Sequence, residues 1–149
     1  MKLIGSLLII LASVVSSFFY EKNLKENLKN TVEICELIKY IKSKIEYFST
    51  SINEILQSYE TDNCHIKEYV LKKDKFNCSY LDKSVVNQVN DFFDKLGKGY
   101  KKEQITLCDY TISLLESSVT NLKENYPKKA KLFRSLSLFF AIGCVIILI

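Results

Sequence analysis

The residues best suited to chemistry are few. His65 is the only histidine among 149 residues, and it follows Cys64 directly. Such a pair could ligate a metal or activate a thiolate, but either use needs further partners. The other cysteines, Cys35, Cys78, Cys108 and Cys144, stand at irregular spacings with no CxxC pair, so neither a zinc site nor a redox dithiol is indicated. A single histidine leaves Ser/His/Asp, Cys/His and HExxH arrangements without support. Glu33/Glu36 and Asp91/Asp94 are carboxylate pairs three residues apart, which sets each on one polar helix face, as solvated groups. "GKGYKK" carries Gly97 and Gly99 but lacks the Lys-Ser/Thr ending of a phosphate loop. No catalytic, cofactor-binding or metal site is expected, and Cys64–His65 is expected as a surface loop pair.

The distribution of charge divides the chain. All 17 acidic and 20 of the 21 basic residues lie between Glu21 and Arg134, a mild positive excess of three. That is not the strongly basic face of a nucleic-acid binder. Outside this block lie two apolar ends. Leu3–Tyr20 carries no charge over 18 residues, enough for a helix at 1.5 Å per residue to cross a hydrocarbon core about 30 Å thick. Phe18, Phe19 and Tyr20 suit an interfacial aromatic belt. Leu136–Ile149 is shorter and needs its flanking turn or local thinning to span. The expected organisation is a transmembrane helix over 1–20, a helical domain over 21–134 and a second transmembrane helix over 135–149.

Lysines 22, 25 and 29 follow the first apolar run; Lys123, Lys128, Lys129, Lys131 and Arg134 precede the second. The positive-inside bias puts the middle block in the cytoplasm, as part of a two-span membrane protein. Lys128, Lys129, Lys131 and Arg134 are expected to flank the membrane, contacting lipid or an acidic partner. A cytoplasmic block keeps its cysteines as thiols. The rival reading makes the first run a cleaved signal peptide, with small residues at Ala12, Ser13, Ser16 and Ser17. The middle block is then a secreted or surface binding module.

Within the block, apolar residues recur at Ile34, Ile38, Ile41, Ile45, Phe48, Ile52 and Ile55, alternating steps of four and three. This is a heptad seam, and it predicts a near-continuous helix from Leu3 to about Tyr59. A second seam runs through Ile105, Cys108, Ile112, Leu115, Val119, Leu122 and Tyr126 into Pro127, where a kink or break is expected because proline removes a backbone donor. Between them, a short helix is expected over His65–Lys73. Another, capped by Asp82 or Ser84 and closed by Gly97, presents Val85, Val89, Phe92, Phe93 and Leu96. One Pro, four Gly and no Trp disfavour a turn-rich β fold. The fold class is all-α: a long antiparallel helical hairpin with short membrane-distal helices and a transmembrane helix at each end.

Several segments resemble stage III sporulation protein AB of spore-forming Firmicutes. "KLIGSLLII" looks like that family's N-terminal anchor. "KIEYFSTSI" is similar to its EIxYGxTPL segment, keeping Ile45, Tyr47, Thr50 and Ile52, with Lys44, Phe48 and Ser51 where Glu, Gly and Pro are usual. "FFDKLGKGYKKEQI" resembles a segment with LG ahead of Gln, here Leu96, Gly97 and Gln104, with Tyr100 where Asp is usual. "LFRSLSLFFAIGCVIILI" is similar to the closing basic-Ser-Leu-Gly segment, keeping Arg134, Ser135 and Leu136, with Ser137 for Gly.

The resemblance implies a mother-cell membrane protein in a multiprotein channel between mother cell and forespore. Its soluble part is expected to be similar to the cytoplasmic domain of the platform protein of type II secretion and type IV pilus machines. That likeness implies docking of a cytoplasmic ATPase, stage III sporulation protein AA, beside other channel subunits and further copies of the chain. The expected function is thus a non-catalytic scaffold. Tyr47, Phe92, Phe93, Leu96, Gly97 and Gln104 are the candidates for partner contact.

Overall fold

The computed structural model describes residues 2–48, 51–72 and 75–148, with the side chains of 2–4, 6, 7, 70–72, 147 and 148 outside the description. Five helices follow one another: α1 Lys2–Tyr47, α2 Ile52–Gln57, α3 Cys64–Lys72, α4 Lys83–Lys95 and α5 Lys101–Leu148. No strand occurs among the described residues. The contacts divide the chain into two compact units, one of Met1–Glu26 with Leu122–Ile149 and one of Asn27–Asn121.

Two expectations about helix ends are corrected. α1 stops at Tyr47 instead of continuing to Tyr59. The Ser-Thr-Ser run after Phe48 is rich in side chains that compete for backbone hydrogen bonds. Ser51 begins α2 instead, accepting a bond from the Glu54 N–H at 3.4 Å. Ser49 and Thr50 lie outside the described residues. At Pro127 the expected break is absent, and α5 passes through it. The ring removes a single donor, and the good helix formers on both sides carry the helix past it. α3 starts one residue before the expected His65; Lys73, its expected end, lies outside the described residues.

The smaller helices begin and end by local chemistry. Asn63 Oδ1 accepts the His65 and Ile66 N–H groups at 3.0 and 3.4 Å, capping α3. Asp82 takes the N-cap position of α4 in extended backbone. Gly97, just past the end of α4, has φ 84°, a conformation that favours glycine. Glu103 reaches back to the Tyr100 N–H at 3.0 Å and closes the first turn of α5.

In the 27–121 unit the core draws on every helix: Ile34, Leu37, Ile38 and Ile41 from α1, Ile55 from α2, Ile66 from α3, Val85, Val89 and Phe92 from α4, and Cys108 and Leu115 from α5. Each large side chain sequestered there contributes about 1.5–3 kcal/mol relative to exposure. α1 and α5 run antiparallel here. Lys39 meets Glu116 at 2.6 Å, Lys42 meets Asp109 at 2.7 Å, and Lys101 donates to the Glu46 carbonyl at 2.7 Å. The irregular stretch before α4 is held by Asn90. Its Oδ1 accepts from the Phe76 N–H at 2.8 Å and its Nδ2 donates to the Phe76 carbonyl at 3.0 Å.

In the terminal unit α1 and α5 again run antiparallel. Ser17 and Ser137 share a hydrogen bond of 2.6 Å, and Tyr20 stacks on Phe133 at 4.1 Å between ring centres. Glu21 accepts from Arg134 at 2.7 Å and from Tyr126 at 3.0 Å. The outward residues are apolar: Phe18, Phe19, Phe139 and Phe140 are 58–75% exposed. Among the described residues, no helix is long and apolar enough to cross a membrane.

Candidate functional site

The candidate chemical groups do not converge. Cys64 is exposed and His65 half-buried in the first turn of α3, not in a loop. Adjacent helical positions face apart, so the two do not act on one ligand. His65 instead stands edge-on to Tyr80, 6.3 Å between centres, beside a cleft of about 390 Å³ that Glu68, Tyr69, Lys75 and Phe76 also line. Among the described residues no group of three metal-capable side chains gathers. Of the carboxylate pairs, Glu33 is occupied by Asn63 Nδ2 and by Lys29, and Asp91 holds Lys95 at 3.3 Å.

Burial raises the titration of several groups inside the 27–121 unit. Burial, with Asp109 adding to it, pushes the Cys108 thiol up to about 11. Burial likewise lifts the Tyr69 hydroxyl to about 12, with a smaller push from Asp94. Neither group ionises near neutrality. Burial is also the main cause raising the Cys35 thiol.

The seam residues divide by depth. Ile34, Ile38, Ile41, Ile55, Cys108 and Leu115 are buried. Ile45, Ile52 and Ile112 are half-buried against that core, and Ile105, Val119, Leu122 and Tyr126 are half-buried too. Phe48 is 55% exposed, because it lies beyond the last helical residue of α1. Its ring sits under Lys44 Nζ at 4.9 Å. The buried face also holds polar residues that apolar spacing did not select. Thr31 and Thr111 are almost wholly enclosed, their hydroxyls donating to the carbonyls of Asn27 and Leu107 at 2.8 Å. Each hydroxyl is satisfied within its own helix, so the methyl can pack inward. Thr31 and Asn27 continue the steps of three and four back from Ile34, and that spacing was a usable signal.

The six candidates for partner contact are placed unequally. Tyr47 is 72% exposed, while Phe92 is fully enclosed. Phe93 is half-buried, its ring 4.2 Å from that of Tyr69, and Leu96 is half-buried against the core. Gln104 is buried and braces the α4–α5 turn, its Oε1 accepting the Gly97 N–H at 2.8 Å. Gly97 packs closely on α2, where an added Cβ would come within 2.8 Å of Ile52 Cδ1. At the other candidate region Lys128, Lys129 and Lys131 are exposed, but Arg134 is bonded to Glu21. Hydrogen bonds from Tyr126 first, then Arg134, hold the Glu21 carboxyl below the usual range.

Comparison with curated proteins finds no match, and comparison with solved structures finds none. The sequence model of the family described as stage III sporulation protein AB matches residues 2–73 and 70–149. With two matched stretches that meet and take in almost every residue, the chain belongs to the stage III sporulation protein AB family.

Proposed function

We propose that the chain is a non-catalytic membrane platform within a sporulation channel complex between mother cell and forespore. Its anchors are the apolar ends, 1–20 and 135–149, lying in the mother-cell membrane around the forespore, with 21–134 between them on the cytoplasmic side. The 27–121 unit is a cytoplasmic docking domain for the stage III sporulation ATPase, protein AA, and for other channel subunits. The observation that carries this reading is the outward apolar surface of the terminal unit. Water-soluble chains seldom leave so many large aromatic and aliphatic side chains uncovered. Leu8, Leu11, Val14, Val15 and Phe18 on α1 and Leu132, Leu136, Phe139, Phe140 and Ile146 on α5 are all more than half exposed. Lipid satisfies them. Ser16, Ser17 and Ser137 donate to the Ala12, Ser13 and Arg134 carbonyls within their own helices at 2.9, 3.0 and 3.1 Å, so those hydroxyls do not need water.

The lysines next to these runs fit the cytoplasmic face. Further support comes from the cross-helix ion pairs Lys39–Glu116 and Lys42–Asp109, which suit a body that transmits position. The test uses Cys64, the exposed cysteine of that unit, in intact cells. A membrane-permeant maleimide should label it and an impermeant one should not. Labelling by the impermeant reagent, or a mature protein beginning near Ser17 by mass spectrometry, overturns the anchor and supports a secreted binding module.

A further inference from the structure

The end of the 27–121 unit where α1 finishes and α5 begins is unlike the rest of its surface. Tyr47, Phe48 and Tyr100 are 72%, 55% and 83% exposed. The rings come from two segments, Tyr47 and Phe48 at the end of α1 and Tyr100 just ahead of α5. Lys101 at the start of α5 bonds to the Glu46 carbonyl at 2.7 Å, and the Gly97 turn rests on Ile52. Around the rings stand Lys44, Lys98, Lys101 and Lys102 against Glu46, Asp94 and Glu103. Glu103, itself exposed, accepts from the Tyr100 N–H, and the carboxylates of Asp91 and Asp109 are taken by Lys95 and Lys42. Four lysines thus stand against the three exposed carboxylates of Glu46, Asp94 and Glu103, a basic excess of one, and Lys98 and Lys102 meet no carboxylate among the described residues. The positive end of the α5 dipole adds to the same field.

We propose that this basic aromatic surface docks a carboxylate-bearing segment of another protein. The proposal rests on the docking-domain reading above and narrows its partner to one presenting Asp or Glu beside an apolar side chain. Complementary charge supplies encounter rate and orientation, and exposed aromatic rings are the residues that most often anchor interfaces. Two of the rings, those of Tyr47 and Tyr100, end in hydroxyls that suit a mixed polar contact. An acyl-chain surface would favour plain Phe or Leu.

The experiment places a photo-crosslinking phenylalanine analogue at Tyr100, and separately at Tyr110 on α5 as a control, in the full chain in sporulating cells. Adducts are sequenced by mass spectrometry. The expected adduct from position 100 is a peptide of another protein with at least two Asp or Glu near the crosslink. Its yield should fall about tenfold in the double variant Lys98→Glu, Lys102→Glu and by a smaller factor with Gln at both positions. Adducts to lipid alone, to a second copy of this chain or to a peptide without carboxylates overturn the proposal. So do equal yields from positions 100 and 110, no adduct at all, or a yield indifferent to charge reversal. Circular dichroism melting of each variant shows that the fold is retained. Fractionation of the same cells reads the anchor separately: a chain lost from the membrane with the acidic adduct intact sinks the platform reading but not this one.

Discussion

Single side chains in the 27–121 unit are judged by what replaces them. Phe92 is fully enclosed and touches Phe93 at 5.2 Å between ring centres. Phe92→Ala leaves a cavity and should cost about 3–5 kcal/mol in denaturant unfolding of the detergent-solubilised chain. Asn90 does its work through three hydrogen bonds, two to Phe76 and one to the Val86 carbonyl at 3.0 Å. Asn90→Ala strands two backbone groups, and about 1–3 kcal/mol should be lost. Asn90→Asp keeps the acceptor and loses the donor, so it should fall between. Cys108 makes a pH prediction. Its folded value of about 11 lies above the ordinary thiol value of 9.0. The unfolded chain therefore releases the proton first, and stability complete below pH 9 declines as pH rises toward 11. Cys108→Ala should flatten that part of the stability–pH curve measured by thermal melting.

At the scale of helices, two residues test what sets the ends and the continuity. Gly97 combines φ 84° with the close approach of Ile52. Gly97→Ala should lower stability by about 1–3 kcal/mol, and Ile52→Val together with it should recover part of the loss by relieving the contact. Pro127 lies inside α5 with no donor for the preceding turn. Pro127→Ala should raise the melting temperature, by an amount corresponding to at most about 3 kcal/mol. The helical class and the two long terminal helices were legible in the sequence, because spacing of three and four over many residues admits little else. The stop at Tyr47 was not. Apolar spacing continues through Phe48 and Ile52, and only the hydroxyl run between them marks the change. Of the candidate contact residues, exposure of Tyr47 beside burial of Phe92 could not be read either. Both are aromatic residues near helix ends, and the difference is made by what α2 and α4 cover. Asn63 and Asn90 were invisible for another reason. Their partners, Glu33 and Phe76, lie 30 and 14 residues away, beyond any periodic signal.

For the chain as a whole, composition and contacts draw different boundaries. Charged residues run from Glu21 to Arg134, with Lys2 alone outside, whereas the contacts group Met1–Glu26 with Leu122–Ile149. If the apolar ends sit in lipid, the protein should sediment with membranes after alkaline carbonate washing and need detergent for extraction. In detergent at pH 8, a thiol reagent should modify Cys64 at once and Cys35, Cys78 and Cys108 only on unfolding, since those three are buried. Rapid reaction at more than Cys64 and Cys144 would contradict the core described above.

The terminal pair carries one further consequence. Hydroxyl meets hydroxyl at Ser17 and Ser137, ring meets ring at Tyr20 and Phe133, and anion meets cation at Glu21 and Arg134. Three unlike matches along one seam behave as the tumblers of a lock. A slip of one residue mismatches all of them together, so a force drawn along either helix is resisted as a single shear and not surrendered rung by rung.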